Sequence, residues 1–159
     1  MSTRPESATE LLVAFSINDQ SYGIPLHRVK RVIHAVEVRH LPEAPGKISG
    51  IINVKGQIIP VISFRGILGL NEREPALTDR IIIAETSRRV IAFLADSVDG
   101  ITEIPENRFT ESFNDPSYTM LLKGIGRTDD GMLLIYDLEE FLSNEEELAL
   151  ETSLKGISG

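Results

Sequence analysis

Cysteine is absent from this 159-residue chain. That excludes a disulfide framework, a thiolate metal site and a cysteine nucleophile. A chain without disulfides suits the cytoplasm. Aromatic residues make up only 6% of the sequence, and it lacks the surface aromatics on which a nucleic-acid-binding β-barrel stacks bases. No run of 18 consecutive apolar residues occurs, so no membrane-spanning helix and no direct membrane insertion are expected. The first ten residues carry Arg4 without an apolar stretch behind it, unlike a secretory leader.

Basic residues are missing from one region in particular. Residues 129–151 hold nine acids and no base, whereas residues 1–128 balance 15 acids against 15 bases. The net charge of −8 is therefore a C-terminal property. Within the balanced part, residues 27–65 place seven Lys/Arg against Glu37 and Glu43, a local +5, and hold His27, His34 and His40. An acidic chain is a poor partner for nucleic acid, while the positive band leaves room for a charge-steered contact.

What the chain does have is isoleucine. Its 19 Ile and 9 Val outnumber 17 Leu, and β-branched side chains favour strands. The apolar runs are short and separated by turn residues, which predicts a mainly β protein. Strands are expected at 11–17, 21–24, 37–41, 48–54, 57–62, 80–85, 90–95, 98–104 and 132–136. Lys55-Gly56 reads as a tight hairpin tip with the lysine exposed. Leu26, Val29, Val32 and Ile33 read as a helical turn merging into a strand. Residues 106–118 read as a loop over the core. Asp137 is expected to cap a helix carrying Leu138, Phe141 and Leu142. Ser143-Asn144-Glu145-Glu146 has capping-box form. The acids beyond Ser143 read as a solvated face, so truncation there should leave a folded protein. This divides the chain into a mobile stretch 1–9, a body 10–143 and an acidic appendage 144–159.

Catalytic groups do not assemble. The three histidines match no zinc spacing, and no serine sits in a nucleophile elbow. Asp96-Ser97-Val98-Asp99 lacks the ligand alternation of a calcium loop and reads as a solvated strand start. Gly124-Ile125-Gly126 lacks the third glycine and long helix of a dinucleotide site. The sequence is therefore read as a non-enzyme with no cofactor and no metal site.

Longer stretches carry a family resemblance. Tyr22-Gly23-Ile24, Val29-Lys30-Arg31-Val32, Leu41-Pro42 and the run from Gly50 to Ile62 (GIINVKGQIIPVI) closely resemble the CheW family. Three later stretches, 93–101, 122–126 and 132–138, agree in kind and order. The resemblance covers about residues 10–143. It implies two SH3-like five-stranded β-barrel lobes packed side by side, with short helices and a C-terminal helix. The first strands and the C-terminal half would share one lobe. It also implies a cytoplasmic adaptor, associated with membrane-bound receptor arrays through its partners. Those partners would be a chemoreceptor (methyl-accepting chemotaxis protein) cytoplasmic tip and the regulatory domain of a CheA-type histidine kinase.

On this likeness Arg31, Asn53, Lys55, Gly56 and Arg65 are candidate partner contacts, and Val29, Val32, Ile33, Val98 and Ile101 candidate lining of a receptor groove. Each has a plainer reading: Lys55 as a soluble turn residue, Arg31 as a neutral surface change, and the apolar five as ordinary core. Three departures stand out. The family's usual N-x-R-G tip is here Asn53-Val54-Lys55-Gly56, which keeps the charge but loses the planar fork of arginine. Arg31 stands where the family often has an acid. Ser63-Phe64-Arg65 replaces Asp-Leu-Arg. These changes admit an alternative: a CheW-like scaffold for a kinase controlling pili, development or another output.

Overall fold

The computed structural model describes residues 9–111 and 121–158. Its elements, in chain order, are β1 (Thr9–Ile17), β2 (Gln20–Pro25), β3 (Val29–His34), β4 (Ile48–Val54), β5 (Gln57–Ile62), α1 (Phe64–Ile67), β6 (Arg80–Glu85), β7 (Val90–Ala95), β8 (Ser97–Pro105), β9 (Phe109–Glu111), β10 (Leu122–Thr128), β11 (Gly131–Tyr136) and α2 (Asn144–Ser158). One sheet has the order β8-β1-β2-β11-β10-β9, the other β3-β6-β7-β5-β4. The first strands and the C-terminal half share a lobe, as the resemblance implies. That lobe holds six strands, its extra member being the three-residue β9. Of the loop expected over 106–118, residues 106–111 instead form a 3₁₀ turn and β9, which pairs with β10, and of the mobile stretch expected over 1–9, Thr9 begins β1; the remainder of both lies outside the described residues.

Both lobes are wound alike. Hairpins β1-β2 and β10-β11 join through a parallel β2·β11 pair. Hairpins β6-β7 and β4-β5 join through a parallel β5·β7 pair. Each lobe closes by curling its edge strand around. β8 runs through a 3₁₀ turn (Glu106–Arg108) into β9, which pairs with β10. The chain beyond β3 bridges Arg39 to Ile51 of β4. The expected strand at 37–41 is reduced to that bridge. A glycine sits at each closure because nothing larger fits. A Cβ at Gly50 would lie 2.2 Å from the Arg39 carbonyl oxygen, and one at Gly124 2.4 Å from that of Thr110. Closure removes free sheet edges from an isoleucine-rich chain.

The apolar runs are continuous because several strands are buried on both faces. In β6, Ile81 and Ile83 fill the five-stranded lobe with Ile52, Ile59, Val61 and Ala92. Ile82 and Ala84 face the main core instead. In β1, Leu12 and Ala14 fill the six-stranded lobe, while Val13, Phe15 and Ile17 face the main core. That main core is the seam between lobes. Six of the described Phe and Tyr residues are buried in it, and five of these are in ring contact: Phe15, Tyr22 and Tyr136 from one lobe, Phe64 and Phe93 from the other. Ring centroids lie 5.0–6.0 Å apart. Such contacts add to the apolar burial that holds the lobes together.

The C-terminal part departs from expectation twice. Residues 137–142 form a turn, not a helix. The Asp137 carboxylate accepts from the Glu139 amide at 2.9 Å, and Leu138, Phe141 and Leu142 are buried in the seam. The capping box is as expected. The Ser143 amide donates to Glu146 at 2.8 Å, and the Glu146 amide to Ser143 Oγ at 3.1 Å. The helix it starts does not float. Leu150 is fully buried in the main core, with Leu154 packed beside it. Glu146 pairs with Lys47 and Glu147 with Arg89. The reading of this segment as a merely solvated face is corrected accordingly, since removing it would uncover part of the seam.

Candidate functional site

The hairpin β4-β5 turns through Lys55 and Gly56, both with positive φ (51° and 90°). Positive φ at both central residues matches the twist of the flanking strands. The Gly56 amide donates to Asn53 Oδ1 at 2.8 Å. Asn53 and Gly56 therefore build the tip, while Lys55 projects from it, exposed. Arg31 is also exposed, on β3. Neither cation makes an ion pair among the described residues. Both belong to the five-stranded lobe.

The apolar residues are placed by register. Directly opposed residues of an antiparallel pair project to the same face. Val29 opposes Ala84 and Val32 opposes Ile82, both seam residues. Val98 opposes Phe15 and Ile101 opposes Val13, again seam residues. These four therefore face the space between the lobes. A bulge between Val29 and Arg31, and another at Ala14/Phe15 opposite Gly100 (φ 111°), let residues three apart share a face. That spacing is what reads as helical in the sequence; the helical part is only the 3₁₀ turn Leu26–Arg28. Ile33 opposes Ile81 and turns the other way, packing into the five-stranded lobe. Val29 and Val98 are partly buried against the seam, whereas Val32 is 38% and Ile101 64% exposed. On each of the two edge strands, β3 and β8, an apolar strip thus runs from a residue packed on the seam to an exposed one, Val29 to Val32 and Val98 to Ile101. Leu11, 42% exposed and opposite Glu103, shares this face and was missed. Its signal was the odd-position alternation of β1.

Arg65 is not a surface group. Its side chain is 17% exposed and donates to both Asp96 oxygens at 3.2 and 3.4 Å. Burial pushes the Tyr22 hydroxyl pKa up, and the nearby Arg65 charge partly offsets that. Asp96, read as solvated, also accepts from the Asn18 amide at 2.8 Å and from Arg73. His27, His34 and His40 are exposed, and among the described residues no cluster of His, Asp and Glu has the makings of a metal site. Among the described residues no helix is long and apolar enough to cross a membrane.

The fold is thus two β lobes packed on one buried seam, with Val32, Ile101 and Leu11 exposed beside it and Arg31 and Lys55 exposed on one lobe. The chain belongs to the CheW-like domain family, which matches residues 11–146. It is a member of a non-catalytic scaffold family of chemotaxis signalling. It is 27% identical to the chemotaxis protein CheW of Thermotoga maritima, over 82% of this chain and 86% of that one. It is 25% identical to the CheW of Rhizobium meliloti, over 85% and 88%. The crystal structure of the scaffolding protein TtCheW from Thermoanaerobacter tengcongensis superposes with a TM-score of 0.78 at 31% identity, covering 87% of this chain and 96% of that one.

Proposed function

We propose that this chain couples the cytoplasmic tip of a chemoreceptor to a CheA-type histidine kinase. The observation that carries this reading is the apolar strip beside the seam, in which Val29 and Val98 are partly buried and Val32, Ile101 and Leu11 are exposed. A receptor helix laid along it buries apolar side chains at helical spacing. The five-stranded lobe then offers Arg31 and Lys55 to the kinase regulatory domain. Charges of this kind steer association and select partners more than they add affinity. The scaffold passes on the receptor state by binding best to one arrangement of receptor and kinase together.

Pull-down with the purified kinase regulatory domain and receptor cytoplasmic fragment from the same organism tests this. Binding to both is expected; binding to neither overturns it. The positive Arg31, where the family often has an acid, favours a second reading in which the kinase serves another output. Flagellar and receptor genes beside this one support the first reading, pilus or developmental regulator genes the second.

A further inference from the structure

The chain crosses from the five-stranded lobe to the six-stranded lobe through one residue. β7 ends at Ala95, β8 begins at Ser97, and Asp96 lies between. Its amide donates to the Ser16 carbonyl at 2.9 Å. Its carboxylate accepts from the Asn18 amide, in the β1-β2 turn of the six-stranded lobe, at 2.8 Å. On the other side it takes Arg65 of α1 at 3.2 Å and Arg73 at 2.5 Å, both attached to the five-stranded lobe. Arg73 is in turn held by both oxygens of Asp79, at 2.7 and 3.0 Å, and the Asp79 side chain is only 3% exposed. Asp79 also accepts from the Ala76 amide at 2.9 Å. The chain also passes between the lobes at Leu26–Arg28, from β2 to β3, but at the β7-β8 junction the connecting residue is itself bonded to both lobes.

Apolar burial is not directional, so polar contacts across the seam add to its packing in setting the angle between the lobes; besides those of Asp96 they include the Ser87 amide to Glu139 at 2.9 Å and Lys47 Nζ to the Phe141 carbonyl at 2.9 Å, both on the segment that follows β11. Charge-assisted hydrogen bonds are short and directional. Rotating one lobe about the junction stretches the Asn18 contact against the Arg65 and Arg73 contacts at once. Val98, which walls the strip, lies two residues past the junction, and Ile101 three further.

We propose that Asp96 is a positioning residue, a latch that sets the angle between the lobes and so the width of the strip. Its effect on receptor affinity rests on the strip being the receptor site; its effect on lobe angle does not. Burial pushes the Asp96 carboxyl pKa up, but the Asn18 amide and the Arg73 and Arg65 guanidiniums outweigh that and hold it below its ordinary value.

The absence of cysteine allows a direct test. Gln57→Cys and Met132→Cys put one spin label on each lobe of the full chain, for distance measurement by pulsed dipolar spectroscopy. A single narrow distribution is expected for the parent. Asp96→Asn should shift or broaden it, and so should Arg65→Gln with Arg73→Gln, in protein whose circular dichroism remains native. An unchanged distribution in these folded variants overturns the latch. Should Asp96→Asn fail to fold, Arg65→Gln alone carries the same test. Asp96→Asn should also weaken binding of the receptor fragment about tenfold and leave that of the kinase regulatory domain unchanged. A parent chain that binds no receptor fragment overturns the strip reading, while the spectroscopic result still decides the latch.

Discussion

Lys55 does two things at one position. It takes the left-handed backbone of the hairpin tip (φ 51°), and it offers an exposed charge. These can be separated. Lys55→Glu should slow association with the kinase regulatory domain, most at low salt, because reversing a rim charge acts through steering. Its thermal melt should be nearly unchanged, and surface plasmon resonance at two salt concentrations with a melt reads both. A large fall in melting temperature would make Lys55 structural. At the same scale, three carboxyls among the described residues are held below their ordinary pKa. They are Asp96; Glu139, through Ser87; and Glu146, through the Ser143 amide and Lys47. Each favours the folded state in its ionised form. Their contribution is complete above the unfolded values, 3.8 for Asp and 4.5 for Glu, and is lost as the pH falls through the lower folded values. Urea midpoints should therefore drop between pH 5 and about 3. Asp96→Asn should make that drop shallower; an identical slope would remove Asp96 from the set.

At the scale of elements, two devices decide the structure. One is the pair of bulges in β3 and β8, which convert a three-residue spacing into a shared face. Val29, Val32 and Ile33 look equivalent in the sequence. Pairing then sends two toward the seam and one into the lobe, because a strand alternates faces except where a bulge resets it. The other device is α2. Its acids read as a solvated face, and Glu145 and Glu151 are exposed, but Leu150 is fully buried. Leu150→Ala should cost about 2–5 kcal/mol by urea unfolding, as for other buried leucines, and truncation after Ser143 at least as much. Unaltered stability in either would mean the helix is dispensable. Gly50→Ala tests the closure of the five-stranded lobe. Its Cβ would meet backbone, not a flexible side chain, so a loss of about 1–3 kcal/mol is expected, with a lower melting temperature.

Over the whole molecule, the two lobes repeat one winding, and the N-terminal hairpin β1-β2 completes the lobe built by the C-terminal strands. The strand-rich class, the hairpin tip and its exposed lysine, the capping box and the absence of thiol chemistry are all legible in the amino-acid sequence. These depend on local terms: β-branched propensity, turn chemistry, composition. The GIINVKGQIIPVI run carried the family. Which apolar residues stay open and which are core follows from packing, since Ile101 and Ile104 are alike in the sequence but 64% and 2% exposed in the fold. Only in the tertiary structure does Arg65 turn inward and Asp96 join the lobes. Asn18, Arg65, Arg73 and Asp96 are scattered over 79 positions, and no local pattern marks groups that meet only when two lobes close on each other. Exposure and ion pairing are properties of the packed chain, set by long-range contacts, and those contacts make the strip a site.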